Sequence, residues 1–172
     1  MRQKTVSKNK LAEYMRSGIF GAEDSLVSTV GLLSGIHAAG LSRQEIIITA
    51  LVYILIEAFA MAAGNFLSAH SAEEYKDGHS VGLFKSLNTS VVMFFSFAVM
   101  GFIPLAPYLV TSLSNDMPFS IALSLIALFF LGFTSAKFSH LPTIKRGLLM
   151  VVVGGLVILL GTLTGLVSKA AV

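Results

Sequence analysis

The chain reads as an all-α integral membrane protein with five transmembrane helices. Three observations predict this. Apolar residues make up 55% of the 172-residue sequence, charged residues only 12%, and mean hydropathy is +0.82, a balance no water-soluble domain needs. Apolar stretches long enough to span a bilayer, roughly 20 residues each, recur five times between polar breaks. The basic residues sort by loop, as bilayer topology requires.

The chain opens with MRQKTVSKNKLAEYMRSG, a basic and polar arm over 1–17 suited to the anionic cytosolic leaflet. The alternative, a signal peptide, fits poorly: the apolar stretch that follows is too long for an h-region and holds Glu23 and Asp24. The spans fall at about 18–40, 46–70, 86–112, 118–138 and 146–168, in a single membrane domain over 18–172. Gly40 with Leu41-Ser42-Arg43 divides the first two. The polar 71–85 segment, with Gly78 and Gly82, divides the next two. Ser114-Asn115-Asp116 precedes Pro118, a residue at home in a first helical turn. Ser139-His140-Leu141-Pro142 separates the last two spans. Pro104 and Pro107 are expected to kink or end the third span.

Positive charge orients the set. Arg2, Lys4, Lys8, Lys10 and Arg16 precede the first span, Lys76 and Lys85 join the second to the third, and Lys137, Lys145 and Arg146 join the fourth to the fifth. The other side has Arg43 and Lys169. The expected N-terminus is therefore cytosolic and the C-terminus outside or lumenal, which an odd number of spans satisfies.

Composition narrows the chemistry. With no cysteine, disulfides and thiolate metal sites are excluded. The pI near 9.3 does not signal nucleic acid, because no basic patch sits beside aromatics. HExxH, GxSxG and phosphate-binding glycine loops are absent from the sequence, so an enzyme is not expected, and neither is a resident cofactor.

The informative residues are acids inside apolar spans. A charge at mid-bilayer costs at least ~2.5 kcal/mol. Asp24, Ser28, Gly31 and Gly35 share one face of the first span, and Tyr53, Glu57, Met61 and Asn65 share one face of the second. If these spans pack as antiparallel neighbours, both polar faces fall at similar depth. Carboxylates suit Mn²⁺ and Fe²⁺, and a thioether favours softer ions. A protonated carboxyl that yields its proton to a cation would couple the two movements. Asp24, Glu57 and Met61 are the leading metal-ligand candidates, with Glu23 and Asn65 secondary. Each has a structural reading too: Met61 as packing, Glu57 as a neutral hydrogen-bonded carboxyl, Glu23 as a snorkelling interfacial acid, Asp24 as a partner of Arg16. His70, Glu73 and Glu74 have helical spacing suited to metal capture, or form a solvated helix end. GxxxG pairs at Gly31–Gly35 and Gly161–Gly165 allow close helix approach.

At these residues the chain resembles the vacuolar iron transporter family. GIFGAEDSLVSTVGLLSGI is similar to the family's first helix, usually near GxNDGLVST. AMAAGNFLSAHSAEEY is similar to its SMGxGxYLS segment, and SFAVMGFIPLAPYLV to its stretch ending in PLLPY. The resemblance implies a homodimer of five-helix subunits, first helices lining a path on the dyad, that exports Fe²⁺ and often Mn²⁺ from the cytosol by proton antiport. It places the family's aspartate on Asp24 and its methionine on Met61. The chain departs from the pattern at Glu23-Asp24-Ser25, where Asn-Asp-Gly is usual, and at Tyr53, where the family carries glutamate; Glu57 lies one turn nearer Met61. The cytosolic metal-binding domain that many members insert after the second helix is missing, making this a short form. The expected location is a prokaryotic plasma membrane, or a vacuolar membrane in a eukaryote. A membrane scaffold on the same fold is the alternative.

Overall fold

The computed structural model describes residues 2–77, 83–110, 116–138 and 142–171, with side chains from 11–75, 86–110, 116–138 and 142–171. These residues form helices α1 (Arg2–Ala39), α2 (Arg43–Asp77), α3 (Leu83–Val110), α4 (Asp116–Phe138) and α5 (Thr143–Ala171). All five are long and apolar enough to cross a membrane, so the chain is a multi-pass membrane protein. The breaks expected at Gly78, Gly82, Ser114, Asn115 and Ser139–Leu141 lie outside the described residues.

Helix ends differ from the sequence expectation for identifiable reasons. The basic arm is helical and continuous with the first span, since no glycine or proline occurs before Gly18 and strong helix formers dominate 2–17. α1 stops at Gly40, whose φ of +94° few other residues adopt. There the Gly40 N–H donates to His37 O (2.9 Å) and the Leu41 N–H to Ile36 O (3.2 Å), the two bonds of a Schellman cap. α2 starts at Arg43 because Ser42 and Glu45 form a reciprocal capping box: the Ser42 N–H donates to Glu45 Oε2 (2.8 Å) and the Glu45 N–H to Ser42 Oγ (3.4 Å). α3 runs through Pro104 and Pro107 without ending. Pro104 is fully buried, and its carbonyl accepts a hydrogen bond from Ser120 Oγ of α4 (2.6 Å). Neighbouring helices can thus hold a proline-containing span together.

Near neighbours give the directions. Ascending α1, Gly18 and Gly21 face Val92 and Met93, and Ser25 reaches Phe97 O (2.6 Å); Gly31 then faces Val157, and Gly35 faces Gly161. α1, α3 and α5 are therefore mutually parallel. α2 opposes α3, with Ile54 at Gly101 and Asn65 at Ser90, and α4 opposes α5, with Gly132 at Gly147 and Leu128 at Gly154. The bundle alternates up and down, and its termini lie at opposite ends.

α1 is the central helix. It packs against all four others, most extensively against α5 and α3. The interior mixes apolar side chains, Leu26, Ile54, Phe97, Leu105 and Tyr108 among them, with buried hydroxyls at Ser25, Thr29, Ser34, Ser120 and Ser124, while Phe59, Phe95, Phe130, Leu160 and other large apolar residues cover the exterior. The apolar exterior suits lipid, and the buried hydroxyls and small residues let helices bond and approach closely where burial of apolar surface alone gives little gain. The two GxxxG pairs meet each other. A Cβ at Gly35 would lie 2.9 Å from the Gly161 carbonyl oxygen, and one at Gly165 would lie 1.9 Å from that of Gly35. The spacing of four in both helices keeps the pairs in register because the helices are parallel.

The second expected adjacency holds less strongly. α1 and α2 touch, but of the packed helix pairs they share the least contact, and α2 rests mainly on α3. Arg43 pins the turn end, its guanidinium donating to Tyr108 O (2.7 and 2.8 Å) and approaching Asp116 Oδ2 at 3.5 Å. Away from that end the two helices part, leaving space between α1, α2 and α3.

The glycine contact generates a prediction. Gly165→Ala should lower thermal stability in detergent by about 1–3 kcal/mol, the usual cost of overpacking, whereas Gly155→Ala, with no atom within 4 Å of the added Cβ, should leave the melting temperature unchanged or slightly raised. Circular-dichroism melts of the two variants beside the unsubstituted protein provide the comparison.

Candidate metal path

Depth along the bundle follows from counting residues away from the Gly40 turn. Asp24 lies 16 residues before it and Glu57 about as far beyond it, so at 1.5 Å per residue both reach the same level. The structure brings them together: the carboxylates of Asp24 and Glu57 lie close enough to repel each other electrostatically. Both residues are partly buried. Neither carboxylate has a hydrogen bond or ion pair among the described residues, and Asp24 does not pair with Arg16. Ser28, one turn beyond Asp24, donates its hydroxyl to the Asp24 carbonyl (2.5 Å) and lies within hydrogen-bonding reach of the Tyr53 phenol. Tyr53, at the position where the resembled family has glutamate, therefore faces the acid pair and is in the field of both carboxylates.

Glu23 points elsewhere. One residue before Asp24, it is turned by the helical step toward the side of α5, where Arg146 is its attractive partner. Glu23 is thus in the field of both Arg146, which attracts it, and Asp24, which repels it.

One turn from Glu57, Met61 lines a cleft of about 260 Å³ between α1, α2 and α3, together with Arg16, Phe20, Asn65 and Met93. Asn65 donates its amide nitrogen to Ser90 Oγ (3.1 Å) and Thr89 Oγ1 (3.4 Å) on α3, which leaves its carbonyl oxygen as the acceptor available to the cleft. A second, more polar cleft of about 140 Å³ shares Arg16, Ser17 and Asn65 with the first and continues toward the α2–α3 end, lined by Glu13, Glu73, Ser86 and Thr89. The described side chains therefore form a series: a polar vestibule with two carboxylates, a cleft with thioethers and an amide, then the acid pair.

The residues suggested for metal capture are split. α2 does run on through them, and His70 Nε2 lies 3.4 Å from Glu74 Oε1, with the imidazole stacked on Phe66 at 5.8 Å. Glu73 instead turns toward α3, where its Oε2 accepts from Ser86 Oγ (3.3 Å). Among the described residues, no group of three or more His, Asp or Glu side chains is placed to hold a metal. His79 and His140 lie outside those residues.

Sequence reasoning missed Met93. It lies in the third span, is 3% exposed, and packs its sulfur against the α1 backbone at Gly21. Its helical register within α3 carried no acid or histidine to mark it, and only the parallel packing of α3 on α1 brings it to the level of Met61.

A like-charged pair without partners has a measurable signature. In metal-free buffer Asp24→Asn should melt no lower than the unsubstituted protein, because it removes repulsion. Added Mn²⁺ should stabilise the unsubstituted protein by about 2–3 kcal/mol when present at roughly 100 times its dissociation constant, and this shift should vanish in the variant. Thermal melts with and without Mn²⁺ read both effects.

Comparisons with known proteins identify the family of the chain. The sequence model of the VIT family matches residues 15–81 and 76–166, a span covering every membrane helix. Vacuolar iron transporter homolog 3 of Arabidopsis thaliana is 33% identical over 69 residues, 40% of this chain and 34% of that protein. Vacuolar iron transporter homolog 4 of the same plant is 34% identical over 67 residues, 39% and 34% of the two chains. Vacuolar iron transporter homolog 1 of Oryza sativa subsp. japonica is 33% identical over 60 residues, 35% and 26% of the two. The alignments thus span about a third of the length of these curated relatives or less. With helices matched from α1 into α5 by one family model, the chain belongs to the VIT family.

Proposed function

We propose that this protein moves Fe²⁺ or Mn²⁺ out of the cytosol in exchange for protons. The observation that carries the reading is the carboxylate pair, Asp24 on α1 and Glu57 on α2, without hydrogen-bond or ion-pair partners among the described residues and within electrostatic range of each other in membrane-spanning helices. Two carboxylates that repel each other lower their energy by binding either a divalent cation or a proton. Occupancy by one displaces the other, and that competition is the chemical core of an antiporter. Met61 adds a thioether on the approach, favouring Fe²⁺ over Mg²⁺ or Ca²⁺. Names of relatives as vacuolar iron transporter homologs support the metal class.

Direction follows from charge. The basic residues of the α1 start and of the α2–α3 and α4–α5 connections support a cytosolic side for the vestibule at Glu13 and Glu73. Ions would enter there, pass Met61 and Asn65, and reach the acid pair. Phe20, 51% exposed one turn before Asp24, leaves a flank of α1 uncovered within one subunit, which supports a homodimer with α1 near the dyad.

The scaffold alternative needs the acids to be satisfied inside the subunit. Their lack of hydrogen bonds among the described residues favours transport.

Purified protein in liposomes containing a metal-sensing dye, with an inside-acid pH gradient, tests the proposal. Fe²⁺ or Mn²⁺ should enter only while the gradient persists, Mg²⁺ and Ca²⁺ should not, and Asp24→Asn should abolish entry. Entry of no ion through well-folded dimeric protein would exclude the antiporter and return the scaffold reading.

A further inference from the structure

Met61 and Met93 are brought from different helices to one cleft. Met61 stands one turn from Glu57 on α2. Met93 stands on α3 at the level of Gly21, where a Cβ would lie 3.0 Å from its sulfur and 2.9 Å from its carbonyl oxygen. The missing side chain at Gly21 is what admits Met93 so close to α1. Both methionines line the same 260 Å³ cleft, whose remaining lining includes the Asn65 amide and Phe20 but no carboxylate. The donors are therefore two thioethers, a neutral carbonyl oxygen and the hydroxyls of Ser17 and Ser68, a different set from the two carboxylates one turn deeper.

We propose that Met61 and Met93 form a bis-thioether site for a soft monovalent ion of the Cu(I) class, distinct from the Asp24–Glu57 pair that takes hard or borderline divalent ions. Thioethers select Cu(I) over divalent ions that prefer oxygen, and they bind without losing a proton, unlike carboxylates. A monovalent ion also meets less repulsion than a divalent one from Arg16, the cation at the edge of the cleft. The site deepens the transport reading by giving its approach a second specificity: Cu(I) is retained among the sulfurs and competes with Fe²⁺ for passage. It rests on that reading only for the competition, since binding itself needs no transport.

Ag⁺ serves as a redox-stable probe of the same class. Purified full-length protein in chloride-free detergent buffer is titrated with Ag⁺ by calorimetry. Met93→Leu and Met61→Leu, each conserving side-chain volume, should weaken the tightest Ag⁺ site by about tenfold or more. Met150→Leu, in the α4–α5 contact, should not. Met93→Leu should leave Mn²⁺ affinity within about twofold, because no donor of the acid pair is touched. Methyl-¹³C-methionine spectra of the unsubstituted protein supply a readout independent of variant folding: Ag⁺ should shift the Met61 and Met93 resonances together at the first equivalent. A shift of Met61 alone, or unchanged Ag⁺ affinity in Met93→Leu, overturns the proposal. Loss of Fe²⁺ transport in liposomes with intact paired Ag⁺ shifts would instead overturn the antiporter and leave the sulfur site standing.

Discussion

The close approach of α1 to α5, backbone against backbone, is the contact on which the bundle depends. Gly31 and Gly35 meet Gly161 and Gly165 so closely that carbonyl oxygens of Gly31, Gly35 and Gly161 occupy the space of side chains missing at Gly161, Gly165 and Gly35. In lipid, apolar side chains gain nothing by leaving their surroundings for one another, so attraction between helices comes from van der Waals contact and polar bonds at short range. Four glycines in register provide the first, and they fix α5 parallel to α1. With α5 placed on one flank and α3 on another through Gly18, Gly21 and Ser25, α1 has little surface left for α2.

That shortage of surface creates the functional space. α2 is held beside α1 at the turn by the Gly40 cap, is tied to α3 there by Arg43 bonded to Tyr108, and otherwise leans on α3. The gap that opens between the three helices is the cleft holding Met61, Met93 and Asn65. At its inner end the helices are still near enough for Asp24 and Glu57 to feel each other. Packing and chemistry are linked here: the glycines that let α5 and α3 crowd α1 are the reason α2 stands off, and the stand-off admits an ion.

The acid pair is the energetic counterpart of that space. Buried serines and threonines elsewhere in the bundle are mostly satisfied by carbonyls of their own or a neighbouring helix, as for Ser34 with Val30 (2.6 Å) and Ser124 with Ser120 (2.6 Å). Asp24 and Glu57 stand apart from this economy. A structural carboxylate in a membrane helix would be expected to find a donor; these two find each other, which is unfavourable unless a proton or cation intervenes. Glu23 shows the contrast, since one step around the same helix it has the positive charge of Arg146 in range.

The amino-acid sequence by itself determined the number of spans, their order and their helical character, because bilayer thickness converts apolar length directly into crossing helices. It also marked Asp24, Glu57 and Met61, since ionisable groups stand out against an apolar background. It did not determine the Schellman cap at Gly40 or the helical continuity of the basic arm with the first span, where local hydrogen bonds and propensity outrun hydropathy. Tertiary structure alone decided which faces meet. The GxxxG pairs are legible as small-residue stripes, but that they face each other depends on α1 and α5 being parallel and adjacent. That Glu23 comes within range of Arg146 depends on where α5 lies. Met93 is an ordinary apolar residue in the sequence and joins Met61 only because Gly21 lets α3 settle against α1. Contacts between residues so distant in the chain follow from how five helices share limited surface, and no local pattern encodes that.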